Sequence, residues 1–285
     1  MPFDFIKQAL LALGQDYYHS GLLDRAERLF SQLISEKNEY GKMALHYLLD
    51  IYQQQKHWER AIEHGQKIAQ SDSYRVKDMA HYYCELALIV QQENNHSKAN
   101  EYLRKALRYD PHCVRASLMK GNWLMRDKKW QAAIEVYQQV KQQADYLTET
   151  LTPLQYCYAQ KIDGQKAFLD YLQTVLTEYP RPTIYLAMVE LLRQYDPEHA
   201  REFLIQQLQT QPSLQGIYHL MQLNLDKSEA CEQEKNHWRL LKEFVTELLK
   251  KKTIYRCFHC GFNSKILDWL CPACRRWGSI KPDID

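Results

Sequence analysis

Four cysteines near the C-terminus have the type and spacing to do chemistry: Cys257, Cys260, Cys271 and Cys274, a C-x2-C-x10-C-x2-C pattern. Two residues between cysteines let one tight turn aim both thiolates at a single ion, and a second such turn completes a tetrahedron. Gly261, directly after the first pair, suits the left-handed backbone that closes such a turn. The intervening residues allow a short hairpin, with Asn263-Ser264-Lys265 expected at its tip. A piece of about 30 residues cannot bury a core of its own, so the ion must supply much of its stability.

Four sulfur ligands fill a tetrahedral site and leave no open position for catalysis. The expected cofactor is therefore one tetrahedrally coordinated structural ion, and the ligand set accepts iron or zinc. His259 lies between the first two cysteines and reads as exposed rather than ligating. Four thiolates on a divalent ion leave a formal charge of about −2, which Arg256, Arg275, Arg276 and the neighbouring lysines can offset. From Lys250 onward the chain carries eight basic and three acidic residues, a net +5. The whole chain carries only +2, so the remainder is at −3. Local compensation is the favoured reading of this basic tail. A zinc-ribbon nucleic-acid binder and a rubredoxin-like electron carrier are the alternatives. Cys84, Cys113, Cys157 and Cys231 are scattered singly. Paired tail cysteines beside lone ones point to a reducing compartment and a metal site, not a disulfide framework.

The elements that must carry this tail are helical. Of 285 residues 45% are hydrophobic and 25% charged, with only 9 glycines and 9 prolines, a globular balance with few turns. Mean hydropathy is −0.58, and the lack of any apolar run near the ~18 residues of a membrane helix argues against a span within this sequence. Met1-Pro2-Phe3-Asp4-Phe5 runs straight into a helical pattern instead of a secretory leader. Neither a Gly-rich phosphate loop, a G-x-S-x-G elbow nor an H-E-x-x-H pair occurs, so no enzyme is expected.

Internal repetition organises the body. Leu10, Leu13, Gly14 and Tyr17, followed by Ala26, Phe30 and Leu33, fit the W-x2-L-G-x2-Y…A-x3-F tetratricopeptide template. Gly14 and Ala26 are small enough for two antiparallel helices to approach, while Tyr17 and Phe30 fill the space to the next pair. The equivalent alanines read as Ala26, Ala61, Ala99, Ala133, Ala167 and Ala200, near the expected period of ~34. A divergent seventh pair is expected from a helix at 214–225 and a long one at 230–252. The predicted fold is all-α: a tetratricopeptide solenoid over 1–252 and a rubredoxin-like four-cysteine module over 253–285, folded back against the helices.

Function in such an array resides in the groove lined by the first helix of each pair. Register places His46, Asp50, His81, Glu85, Arg115 and Asn122 there as candidate partner-binding residues. Polar groups in one concavity suit an extended or helical protein segment. Ile6, Leu10 and Leu13 in the first helix are expected to be covered by something upstream.

With these residues in view, the chain resembles the lipopolysaccharide assembly protein B family of Gram-negative bacteria. The matching stretches are Leu13-Gly14-Gln15-Asp16-Tyr17, Gly21-Leu22-Leu23-Asp24-Arg25-Ala26-Glu27, His81-Tyr82-Tyr83-Cys84-Glu85-Leu86-Ala87, Cys113-Val114-Arg115-Ala116-Ser117 and the four-cysteine tail with its tryptophans. The resemblance implies a non-catalytic adaptor on the cytoplasmic face of the inner membrane. It would promote proteolysis, by the membrane protease FtsH, of the deacetylase committed to lipid A synthesis, and answer to a membrane-embedded lipopolysaccharide sensor. Nucleic acid is not an expected partner, and a homodimer is compatible with the pattern. It also implies Cys257, Cys260, Cys271 and Cys274 as the metal ligands. Family members begin with a membrane helix and about two further repeats; this sequence starts after both, as a shortened relative or a truncated form would.

Overall fold

A computed structural model describes residues 2–34, 39–68, 73–226, 232–252 and 254–283. The chain divides into two compact units, Met1–Ala116 and Ser117–Asp285. The first holds α1 (Pro2–His19), α2 (Leu23–Leu33), α3 (Glu39–Gln54), α4 (Trp58–Ile68), α5 (Ser73–Gln92), α6 (His96–Tyr109) and the first turn of α7 (Val114–Arg126). The second continues with α8 (Trp130–Gln139), α9 (Thr148–Ala159), α10 (Gly164–Glu178), α11 (Pro182–Arg193), α12 (Pro197–Thr210), α13 (Leu214–Leu225) and α14 (Glu232–Lys251). From α1 to α6 in the first unit and from α8 to α14 in the second each helix packs on the next in sequence, and α1 with α3, α9 with α11 and α11 with α13 also touch. This is the helix-pair stacking expected of tetratricopeptide repeats.

The turn inside each pair sets the repeat. Gly21, Lys56, Asn94, Lys128 and Asp163 all have positive φ, between 54° and 74°. Only the first is glycine, although left-handed backbone costs other residues about 1 kcal/mol. Five residues after each of the first four turns stands an alanine with no exposed surface: Ala26, Ala61, Ala99 and Ala133. The fifth repeat breaks the pattern. Five residues beyond Asp163 stands Phe168, 1% exposed, while Ala167, the alanine expected there from sequence, faces solvent. The turn is displaced by one residue relative to the alanine count, which rotates the buried face of α10 onto Gly164, Phe168 and Leu172.

Glycine supplies close approach where the template requires it. A Cβ on Gly14 would stand 2.6 Å from the Phe30 ring, and one on Gly121 only 2.4 Å from Tyr137. Phe30 stacks on Tyr47 at 4.9 Å, linking the first pair to the second. Among the described residues side-chain caps start α6, α12 and α13: Asn95 accepts from Lys98 N–H, Asp196 from His199 N–H and Ser213 from Gly216 N–H. Pro182 and Pro197 occupy first-turn positions where no amide donor is needed. Cys84, Cys113 and Cys157 are buried among helices, as small packing residues should be; Cys231 lies outside the described residues. No helix among the described residues is long and apolar enough to cross a membrane.

The tail contains three short strands, β1 (Tyr255–Cys257), β2 (Asn263–Ser264) and β3 (Ile280–Pro282), ordered β2-β1-β3 and antiparallel. Tyr255 pairs with Ser264 and Arg256 with Asn263. The Asn263–Ser264 segment is therefore a strand and not the hairpin tip predicted for it. The reversal is made earlier, by the backbone around the first cysteine pair. Between α8 and α9 the repeat pattern loosens into two 3-10 turns, Val140–Gln142 and Ala144–Tyr146.

Candidate metal centre

The two cysteine pairs sit on two copies of one backbone device. The N–H of Gly261 donates to Cys257 O at 2.9 Å, and that of Arg275 to Cys271 O at 2.8 Å. Cys257 N–H then reaches Phe262 O, and Cys271 N–H reaches Arg276 O. The residue after each pair is left-handed, Gly261 at φ 78° and Arg275 at φ 57°. Glycine marks the left-handed position of the first knuckle in sequence; that of the second is unmarked because Arg275 accepts the same strained backbone.

Together the knuckles bring the Sγ atoms of Cys257, Cys260, Cys271 and Cys274 within 4.8 Å of one another. Cys257 lies 3.7 Å from Cys274, and Cys260 lies 3.7 Å from Cys271. Metal–sulfur bonds of about 2.3 Å in a tetrahedron give sulfur–sulfur edges of about 3.8 Å, so the donors fit one four-coordinate ion. Two of these thiols are shifted in opposite directions. Burial pushes Cys271 up to about 12. Burial also raises Cys257, but Ser279 Oγ at 3.4 Å and the backbone N–H groups of Cys260 and His259 outweigh it and bring that thiol down to about 6. Four thiolates this close repel one another, and a bound cation is what allows all four to ionise. Cys257 and Cys271 are buried with Ile280, and Tyr255, Phe262 and Leu267 pack around them. His259 is exposed, and so is Cys260.

This module is fastened to the helices of its own unit. Tyr146 Oη donates to the carbonyls of Ile280 at 3.0 Å and Gly278 at 3.3 Å. Its ring lies 5.7 Å from that of Trp269. Tyr255 Oη donates to Glu149 at 2.8 Å, and this contact together with burial pushes the phenol above its ordinary pKa. Asp145 accepts from both Arg181 and Lys281. The module thus docks on the loosened turn between α8 and α9 and on the start of α9. Lys281, one of the cations expected to offset the thiolates, serves this dock. Asp145, Tyr146 and Glu149 carry no local sequence signal; the partners of Asp145 are 36 and 136 residues away.

The candidate groove residues have different surroundings from one another. In the first unit His46 and Asp50 are half-buried on α3. His81 and Arg115 are buried instead of lining open solvent. Burial, reinforced by the Arg115 charge, lowers the His81 pKa to about 3, so its ring is neutral. Arg115 pairs with Glu85 at 2.6 Å. In the second unit Asn122 is exposed and accepts from Tyr137 Oη at 2.6 Å.

Paired antiparallel helices joined to a docked four-cysteine knuckle define a class: tetratricopeptide scaffolds that carry a rubredoxin-type metal module. Residues 255–282 match the family described as Rubredoxin metal binding domain, and residues 84–147 match Tetratricopeptide repeat. Lipopolysaccharide assembly protein B of Escherichia coli strain K12 is 34% identical over 283 residues, covering 97% of this chain and 72% of the relative. The protein of that name from Haemophilus influenzae strain Rd is 35% identical over 284 residues, covering 97% and 70%. The chain belongs to the lipopolysaccharide assembly protein B family. Among solved structures, Pseudomonas aeruginosa pilF aligns over 88% of this chain and 93% of its own, with 18% identity and a TM-score of 0.36.

Proposed function

We propose that the chain is a non-catalytic adaptor in lipopolysaccharide assembly. Its helix pairs over 1–252 hold protein partners, and its metal module over 253–285 fixes the geometry of the repeats it docks on. In this reading Cys257, Cys260, Cys271 and Cys274 hold one iron or zinc ion in a purely structural role. The adaptor presents the deacetylase committed to lipid A synthesis to the membrane protease FtsH on the cytoplasmic face of the inner membrane, under control of a membrane-embedded lipopolysaccharide sensor. His46, Asp50, His81, Glu85, Arg115 and Asn122 contribute to partner binding, with His81 and the Glu85–Arg115 pair shaping the surface from beneath.

The observation that carries this reading is the four-sulfur cluster on a module clamped to the helices through Asp145, Tyr146 and Glu149. A site with four protein ligands has no position for substrate, and rigid docking suits a brace. The test replaces Cys257 and Cys271 by serine in the full-length protein and follows deacetylase half-life in cells that lack the native copy. A several-fold longer half-life is expected. An unchanged half-life with a folded variant would remove the metal module from the function.

A further inference from the structure

The fifth repeat, whose register departs from the others, borders a cavity of about 570 Å³, within the size range of ligand sites. Its apolar lining comes from Ala159, Leu169, Leu191, Leu192 and Tyr195. Phe168 provides the local reason for the irregularity. It occupies the place of the buried alanine of the first four repeats, and a phenyl ring needs more room between helices than a methyl group. Gly164 keeps the start of α10 tight against α9 at the same end, since a Cβ there would lie 1.7 Å from Tyr158 O. The opening is bordered by unusual exposure of apolar groups. Tyr195 is 66% exposed, and Ile162, in the turn that supplies Lys161 and Asp163 to the lining, is 96% exposed.

The polar part of the lining is unequal in charge: Lys161 and Lys166 against the single carboxylate of Asp163. Lys161 donates to the neutral amide of Gln131, and Lys166 has no ion pair among the described residues. Asp163 stands at the N-terminus of α10 without a side-chain cap hydrogen bond, and its one carboxylate faces both the positive end of that helix and the two ammonium groups. Asp163 and Gln165 add hydrogen-bond acceptors beside these donors. A peptide backbone offers both donors and acceptors, whereas a fatty-acid anion offers acceptors alone.

We propose that this cavity is a docking site for an acidic peptide segment of a partner protein, which inserts one bulky aliphatic side chain between Leu169, Leu191 and Tyr195 and sets flanking carboxylates against Lys161 and Lys166. The site belongs to the α9–α10–α11 repeat and depends neither on the metal centre nor on the pathway proposed above. The test uses the whole purified chain, with its metal, and a fluorescein-labelled ten-residue peptide carrying a central leucine between glutamates. Anisotropy is compared with peptides in which lysines replace the glutamates or alanine replaces the leucine. The acidic leucine peptide should bind most tightly, with affinity falling as salt rises. K161E/K166E and Y195A, all at exposed positions, should each weaken it by about tenfold or more, while K42E in the first unit should leave it unchanged. Equal binding of acidic and basic peptides, indifference to these variants, or no saturable binding would overturn the proposal. So would displacement of the peptide by decanoate at lower concentration than by unlabelled peptide, which would make the site one for lipid.

Discussion

Asp145 Oδ2 accepts a hydrogen bond from Lys281 Nζ at 2.8 Å, tying the turn before α9 to strand β3 across 136 residues of chain. Arg181 at the start of α11 reaches the other oxygen of the same carboxylate at 3.1 Å. One acid thereby joins three segments that the repeat pattern alone would leave independent. The connection between α8 and α9 is built from two 3-10 turns, Val140–Gln142 and Ala144–Tyr146, and the second carries Asp145 and Tyr146 to the module.

Replacing this carboxylate should be visible in acid. Burial raises the Asp145 pKa, but hydrogen bonds and charge from Lys281 and Arg181 outweigh it and hold the group below its ordinary 3.8. A depressed folded pKa stabilises the protein fully above the unfolded value and loses that contribution as pH falls below 3.8 toward the folded one. The side chain is 40% exposed, so solvent screening limits the contribution at neutral pH to about 1 kcal/mol or less. Asp145→Asn should lower stability by that amount at pH 7 and converge on the wild type as pH falls below 3.8 and through the folded pKa of Asp145. Thermal melts of the two proteins across this range, read as a difference, check it.

Metal removal should unfold the tail and spare the helices. Among the described residues the module buries Cys257, Cys271 and Ile280 as one cluster, with Trp277 and Pro282 beside them, too little to offset chain entropy. Structural ions supply about 10–16 kcal/mol to comparable small zinc modules. A chelator strong enough to strip the site should shift Trp269 fluorescence, as that ring leaves Tyr146, with little change in helical circular dichroism. Elemental analysis before and after should show one ion per chain lost. Loss of helix in parallel with the ion would instead make the helices depend on the module.

The buried cluster on α5 supplies a second acid-sensitive element. His81 is held neutral by burial and by the nearby Arg115, with its pKa lowered from 6.5 to about 3. The unfolded chain binds a proton there between these values and the folded chain does not. Stability is therefore lost as pH falls through that window, by about 1.4 kcal/mol per pH unit at most. His81→Gln should flatten the dependence between pH 6 and pH 4. Urea denaturation of both proteins at stepped pH measures the slope, and equal slopes would assign the acid sensitivity to other groups.

Legibility in the sequence followed the range of the interactions. The C-x2-C pairs, the Gly14–Phe30 packing and the knuckle glycine Gly261 act within a few tens of residues and leave spacing behind them. So does α13, found at Leu214–Leu225 where the pattern placed it. That the module folds back against the helices is expected from sequence, but its address is not, because Asp145, Tyr146 and Glu149 meet partners more than a hundred residues away. The left-handed position of the second knuckle is unmarked, because Arg275 stands where φ is positive without a glycine. For the groove candidates, periodicity identified a helix face but not depth along it. His81 and Arg115 share that face with residues that stay wet, and only the packing of α5 against its neighbours shows that they are buried.

The fifth repeat offers the sharpest test of register, because sequence and structure there predict opposite results. Counting alanines makes Ala167 the buried residue, so that enlarging it should be ruinous. The structure instead buries Phe168 to 1% exposure, stacked 5.3 Å from Tyr158 and 6.4 Å from Tyr171, and leaves Ala167 in solvent. Phe168→Ala should cost about 3–5 kcal/mol by lost burial and the cavity left behind. Ala167→Leu should change stability by no more than about 0.5 kcal/mol, since an exposed helical position tolerates a good helix former. As a calibration, Gly14→Ala in the first repeat should cost about 1–3 kcal/mol through its clash with Phe30, less up to about 1 regained in helix propensity. Chemical denaturation of the three variants gives the ranking. An Ala167→Leu protein as damaged as Phe168→Ala would return the repeat to the alanine register and remove the structural reason given for the cavity beside it.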